Sequence, residues 1–271
     1  MAKPPYIELG HGREAERIPI LYEDRSVIAI DKPRGWMLVP FTWQRTSRNL
    51  QAAIQSSIGA GAFWARCRQV RFLRYVHRLD ADTTGILLFA RSPGAVESLG
   101  DLFESRRMEK RYLAVAVGQP KAEQWTCRMS LAKDPQNVSR MRVDARDGKE
   151  AETHFRVLAR DGARVLIEAR PYTGRTHQIR VHLAESGLPI LGDVLYGIRS
   201  EEPLALRAVE LRYTDPFGRR PVRIRAPIDT FLADYGFEVP PASGESEEAA
   251  PGNLPDRSNS MSRRFRHTPP P

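Results

Sequence analysis

The sequence predicts an α+β protein: a mixed, largely antiparallel sheet with flanking helices and a central cleft. Three observations carry this. Short runs rich in β-branched and aromatic residues recur along the chain, bounded by Gly, Asp and Pro turn signals. Only a few stretches show apolar residues at helical spacing. Strand-like and helix-like segments do not alternate regularly, so the helices are interspersed rather than threaded between parallel strands.

The elements follow in chain order. Residues 1–18 read as an irregular arm. SVIAIDKPRGWMLVP (26–40) holds a short strand ended by Pro33 and Gly35. Residues 46–59 place Leu50, Ala53, Ile54 and Ile58 on one helical stripe, with Gly59 as a stop. GILLFARS (85–92) is a continuous apolar run of strand length. Residues 94–109 are helical, with Val96, Leu99, Leu102 and Phe103 on one face. RYLAVAVG (111–118) is strand-like, and 154–171 reads as two strands around Asp161-Gly162. TGRTHQIRVHLAESG (173–187) reads as a helix with Thr173 as N-cap and Gly187 at its end. Residues 204–227 give two more strands joined by a turn at Asp215 to Gly218. The body 19–239 is therefore expected to be one domain. Residues 240–271, rich in Pro, Ser and Glu and poor in large apolar residues, are expected to be a disordered tail; its Arg263–Arg266 cluster could touch phosphate.

The charge points to a polyanion. Forty-two Lys and Arg stand against 33 Asp and Glu in 271 residues, a formal net charge of +9. Arginine dominates, which favours forked contacts to phosphate. Two cysteines imply no disulfide framework. The first residues lack the apolar core of a signal peptide, and no window approaches the roughly 20 apolar residues of a membrane span. A soluble cytoplasmic protein is expected. No Gly-rich phosphate loop or cysteine cluster is present, and the spacing of His177 and His182 takes them out of line on a helix. No metal and no cofactor are expected.

The chemistry concentrates in RYVHRLDADTTGILLFARS (74–92). Asp80 stands where a polar turn meets the apolar run, which puts it at a sheet end on a cleft wall. A carboxylate there needs a partner. Arg180, on the predicted helix whose first turn carries Gly174, Arg175 and His177, can supply one, and a helix start with Arg175 beside it suits an anion. A guanidinium against Asp80 would keep it charged, as a nucleophile requires. Spacing alone leaves blander readings open: Asp80 as a turn acid, Arg180 as a solvated helix charge, Tyr112 as a core tyrosine and the two histidines as helix surface.

These residues carry a likeness. His77-Arg78-Leu79-Asp80, two spacers, then Thr83-Thr84-Gly85 resembles the catalytic segment of the RluA-type pseudouridine synthases. ILYEDRSVIAIDKPRGW (20–36) resembles that family's opening strand and Lys-Pro-x-Gly turn, and KRYLAVAVG (110–118) its Lys-x-Tyr strand. YTGRTHQIRVHLAESGLPILGDVLYG (172–197) is similar to its longest motif, and LALRAVELRYTDPFGRRPVRIRAP (204–227) to its closing hairpin. The resemblance spans about residues 20–230, with five motifs in order.

It implies the pseudouridine synthase fold and isomerisation of uridine in structured RNA, rRNA or tRNA, to pseudouridine. It implies Asp80 as the indispensable carboxylate. Tyr112 would pack against the target base and take the C5 proton, Arg180 would pair with Asp80, Arg78 would contact or wedge into RNA, and Leu183 would line the base pocket. Some positions depart from the pattern. Thr84 stands where Ser is usual, Leu38-Val39-Pro40 where His-Pro is common, and Arg207 and Asp215 where His is frequent. Only about eighteen residues precede the first motif, so recognition of a compact RNA through the catalytic domain and the tail is expected. A monomer is expected as well. Two other classes compete. A catalytically inactive RNA-binding protein of the same fold would release no C5 tritium, and a glycosidic hydrolase would need a second carboxylate near Asp80, for which Asp82 is the near candidate.

Overall fold

The computed structural model describes residues 2–10, 15–38, 48–197 and 200–238. Residues 1–239 form one compact unit. The expected tail 240–271, with Arg263–Arg266, lies outside the described residues, as does Pro40.

The chain opens with β1 (Tyr6–Leu9), β2 (Glu16–Glu23) and β3 (Val27–Lys32). Then come α1 (Leu50–Gly59), α2 (Phe63–Arg66), β4 (Arg74–Tyr75), β5 (Thr84–Ala90), α3 (Pro93–Glu104) and β6 (Glu109–Val117). Short strands β7 (Gln124–Cys127), β8 (Leu131–Lys133) and β9 (Met141–Val143) precede the hairpin of β10 (Thr153–Asp161) and β11 (Arg164–Pro171). The chain continues through α4 (Gln178–Glu185), the hairpin of β12 (Leu206–Thr214) and β13 (Pro221–Arg225), and α5 (Asp229–Asp234). One eleven-stranded sheet runs β1-β2-β3-β5-β12-β6-β11-β10-β7, with β4 added to β5 and β13 to β12; β8 and β9 pair apart. Among the described strand pairings, only β5 with β12 is parallel. The mixed, largely antiparallel sheet is thus as expected.

Local chemistry explains the element ends. Asn49 accepts a hydrogen bond from Ala52 N at the start of α1, and Ser92 does the same for Ala95 N before Pro93 in α3. The β12–β13 turn closes because the Asp215 carboxylate accepts from Phe217 N and Gly218 N. β5 is apolar from Ile86 onward because it is covered on both faces; Ile86 to Ala90 are all buried.

Two expectations need correction. Residues 1–18 are not an irregular arm: β1 pairs with β2 in register, Ile7 opposite Ile18, and both side chains are fully buried. The helix expected over 173–187 starts at Gln178, with His177 at its N-cap position in left-handed backbone, φ 55. Thr173 does not cap it. The Gln178 amide ties residues 173–177 into a loop: its Oε1 accepts from Thr173 Oγ1 and Arg175 N, and its Nε2 donates to Glu152 O and Thr153 Oγ1.

Candidate active site

Asp80 is delivered by a loop that is held from three sides. Lys32, at the end of β3, is fully buried, and its Nζ donates to Pro33 O, Ala81 O and Thr83 O at 3.0, 2.7 and 3.0 Å. Burial pushes its ammonium down to about 8, although Asp82 and Asp80 work against that shift. Gly35 N donates to the same Ala81 O. On the far side, Gly85 has φ 104, and a Cβ there would sit 2.1 Å from Ala208 O. Only glycine lets β5 approach β12 this closely, so the end of the Asp80 loop is fixed against the sheet.

Asp80 lines a cavity of about 350 Å³, together with Arg78, Lys110, Tyr112, His177 and Arg180. Arg180 is the hinge of the site. Its Nη1 donates to Asp80 Oδ2 at 3.3 Å, while Nε and Nη2 donate to Asp193 Oδ2 and Oδ1 at 2.8 and 2.7 Å. Burial opposes the charge on this guanidinium, but Asp193 and then Asp80 outweigh it and raise its pKa. Asp193 has a fully buried side chain that also accepts from Leu195 N and Tyr196 N. Its pKa is lowered: burial acts against the charge, and Arg180 and the two amides more than compensate. One guanidinium therefore joins a buried acid to one that remains about a fifth exposed to the cavity.

His177 completes the ring. Tyr196 Oη accepts from Met141 N and lies 2.8 Å from His177 Nδ1. His177 Nε2 faces Asp80 Oδ1 at 3.8 Å. Burial, the largest effect, lowers the pKa of His177. Tyr112 on β6 reaches the same cavity. Burial first and Asp80 second raise its pKa well above the ordinary phenol range, so the hydroxyl keeps its proton at neutral pH. Lys110 Nζ donates to Thr173 O, and burial lowers this ammonium to about 8.

Not all of the other expected residues line the cavity. Arg78 is exposed and latches across the cleft to Thr176 Oγ1 at 2.7 Å. Arg175 lines the same cavity, in the loop just before α4, and its Nε donates to Glu150 O. Leu183 is fully buried in the core and does not line the cavity; Ile179 and Leu206 supply apolar wall instead. His182 is also buried, donating from Nε2 to Met129 O, and is not helix surface. His77 accepts from Leu88 N through Nε2 and stacks on Phe103; burial drives its pKa down to about 3. Sequence reasoning did not single out Asp193, Gln178 or Tyr196, and it met Lys110 only as the first residue of the Lys-x-Tyr strand. For Asp193 a signal existed, a lone acid within the otherwise apolar PILGDVLYG.

With this geometry in hand, the comparisons decide the lineage. The family model described as RNA pseudouridylate synthase matches residues 26–185. The chain belongs to that family. It is an isomerase that converts uridine in RNA to pseudouridine. The Zymomonas mobilis protein named "Uncharacterized RNA pseudouridine synthase" is 34% identical over 223 residues, 80% of this chain and 97% of that one. The ribosomal large subunit pseudouridine synthase C of Vibrio cholerae is 35% identical over 239 residues, 84% of this chain and 71% of its own. The solved structure titled Human RNA Pseudouridylate Synthase Domain Containing 4 superposes with a TM-score of 0.64 at 23% identity, covering 82% of this chain and 94% of that one. That likeness speaks for the fold alone.

Proposed function

We propose that this synthase modifies a uridine in large-subunit ribosomal RNA, with Asp80 as the catalytic carboxylate. The observation that carries the proposal is the Asp80–Arg180–Asp193 chain at the wall of a base-sized cavity. Arg180 is already committed to Asp193 through two nitrogens, so it can orient Asp80 without neutralising it by full bidentate pairing. The reaction breaks the N1–C1′ bond, turns the base and forms a C5–C1′ bond. The C5 proton is lost and N1 gains one, so the reaction balances without an external reactant.

The target base must leave its stack to enter the cavity. Tyr112 packs against it. Its raised pKa supports this packing role over abstraction of the C5 proton, because a phenol accepts a proton only after losing its own. Arg78 exchanges Thr176 for RNA as the base is drawn in, Lys110 supplies a hydrogen-bond donor at the wall, and His177 a polar edge. Leu183 acts from behind the site through packing, and Arg175, at the cavity wall and held by the Glu150 backbone, offers the RNA a further cation. A hydrolytic reading is weaker. Asp82 is exposed and does not line the cavity, Asp193 lies buried behind Arg180, and Glu104, the other carboxylate lining the cavity, is exposed at the end of α3 and is not among the partners of Arg180.

The ribosomal target rests on the names of the relatives. Tritium release from RNA labelled at uridine C5 tests it: release is expected with large-subunit rRNA fragments and not with bulk tRNA. Release with tRNA alone would move the target, and none with any RNA would favour an inactive binder. The proposal also has the enzyme act as a cytoplasmic monomer, which light scattering and cell fractionation check.

A further inference from the structure

The sheet has a second arginine assembly on the face turned away from the cavity. Lys110 and Tyr112 of β6 point to the cavity, so Arg111 between them points to the other face. The strand register carries this across the sheet. Ala169 lies opposite Tyr112, which turns Glu168 and Arg170 to the far face, and Glu210 lies opposite Arg111 after a bulge in β12. Arg156 faces Glu168, Arg225 faces Glu210, and Arg223 faces Arg212.

Two buried carboxylates organise this face. Glu168, 2% exposed, pairs with Arg111, Arg156 and Arg170 at 3.3, 3.4 and 2.9 Å. Glu210, 5% exposed, pairs with Arg111, Arg212, Arg223 and Arg225 at 3.6, 2.6, 2.8 and 3.1 Å. Glu109, opposite Arg212, is the third acid of the set. Among the described residues, six guanidiniums therefore gather around two buried carboxylates and one exposed one. Neutralising two glutamates needs far fewer.

The guanidiniums are also preorganised. Each spends part of its donor set on a buried acid and keeps about a third to a half of its side chain in solvent. They span five neighbouring strands, β10-β11-β6-β12-β13, a width of roughly 19 Å at the usual strand spacing. Fixed forks at that spacing suit a run of phosphates. A protein partner would want an apolar centre, yet none of the exposed large apolar side chains, Phe63, Val138, Tyr172, Val194 and Phe217, lies on these strands.

We propose that this arginine face is a second RNA-binding surface, gripping the phosphate backbone of the substrate outside the target loop. The proposal rests on the reading that the enzyme acts on a large structured RNA.

The test uses the full chain in an Asp80→Asn background, which holds RNA without turnover. It compares R156Q/R170Q/R212Q with its parent. The two buried glutamates, Glu168 and Glu210, each keep at least one arginine in this variant, so the fold should survive. Two probes are used, a target hairpin alone and an rRNA fragment of about a hundred nucleotides containing it. The expected result is a tenfold or greater loss of affinity for the long fragment at moderate salt. The slope of log affinity against log salt should fall by about two to three, at 0.7–0.9 per phosphate contact. Hairpin affinity should change less than twofold, and R156K/R170K/R212K should restore most of the slope.

An unchanged slope on the long fragment overturns the proposal, as does an equal loss on both probes, which would assign these arginines to the cleft. Retained RNA slope with lost binding to polyglutamate would assign the face to an acidic protein instead. If the variant fails to fold, phenylglyoxal modification of the wild type decides: protection of Arg156, Arg170 and Arg212 by long RNA supports the surface, and equal modification with and without it refutes it. Tritium release by the wild type is measured first, so that failure of the underlying function is seen separately.

Discussion

The two faces of the sheet solve opposite problems with the same pair of groups. In the cleft one guanidinium, Arg180, holds two carboxylates, Asp80 and Asp193. On the far face two carboxylates, Glu168 and Glu210, hold six guanidiniums. The ratio decides what is left over. The cleft keeps a carboxylate for chemistry, and the far face keeps donors for an anion. The surroundings differ as well. The cleft is built on titratable groups shifted by burial, the fully buried Lys32 and the half-buried His77 and Lys110, so it should answer to pH. The far face is formed by half-exposed arginines and should answer to salt.

The comparison breaks hardest at Arg180. Arg180→Ala leaves a buried Asp193 unpaired, so chemical denaturation should show a loss of about 3–5 kcal/mol, with tritium release falling by about a thousandfold. A variant of near-native stability would show that Asp193 does not depend on this ion pair.

The pH contrast comes next. His77 is neutral in the fold, with its pKa near 3, and ordinary when unfolded. Between about pH 6.5 and 3 the unfolded chain binds the extra proton. Stability is therefore full above that window and drains as pH falls through it, by an amount on the order of a few kcal/mol. His77→Gln keeps an acceptor for Leu88 N and should flatten this limb in acid melts. An unchanged limb would place the acid sensitivity elsewhere.

Asp193→Asn sharpens the cleft account. The amide still accepts from Arg180 but cannot fix both nitrogens, so Asp80 loses its alignment. A kcat lower by about 10- to 100-fold with KM little changed is expected. A rise in KM with kcat intact would make Asp193 a binding residue. The smallest effect lies at Arg111, the one arginine shared by Glu168 and Glu210. Arg111→Gln should cost about 1 kcal/mol, less at high salt. A salt-independent cost would mean packing, not charge, is what Arg111 contributes.

Much of the cleft was legible because its motifs are local. Asp80 before an apolar strand, the Lys32-Pro33-x-Gly35 turn and the Asp215 hairpin each declare themselves within a few residues. What stayed hidden depended on distant segments. Asp193 meets Arg180 only because the loop after α4 folds back beneath it. The helix start was misplaced because Gln178 binds Thr173 and Arg175, turning a good N-cap sequence into a loop. The N-terminal strand was missed because four residues are too few to show a period, and its pairing with Glu16 to Pro19 is what makes it a strand. Leu183 was misassigned because the sequence does not say which side of α4 meets the core.

The most direct test is Asp80→Asn, read in one experiment for both binding and turnover at saturating rRNA. The account predicts that pseudouridine formation stops while RNA affinity stays within a few-fold of wild type. Turnover above a tenth of the wild-type rate would contradict it.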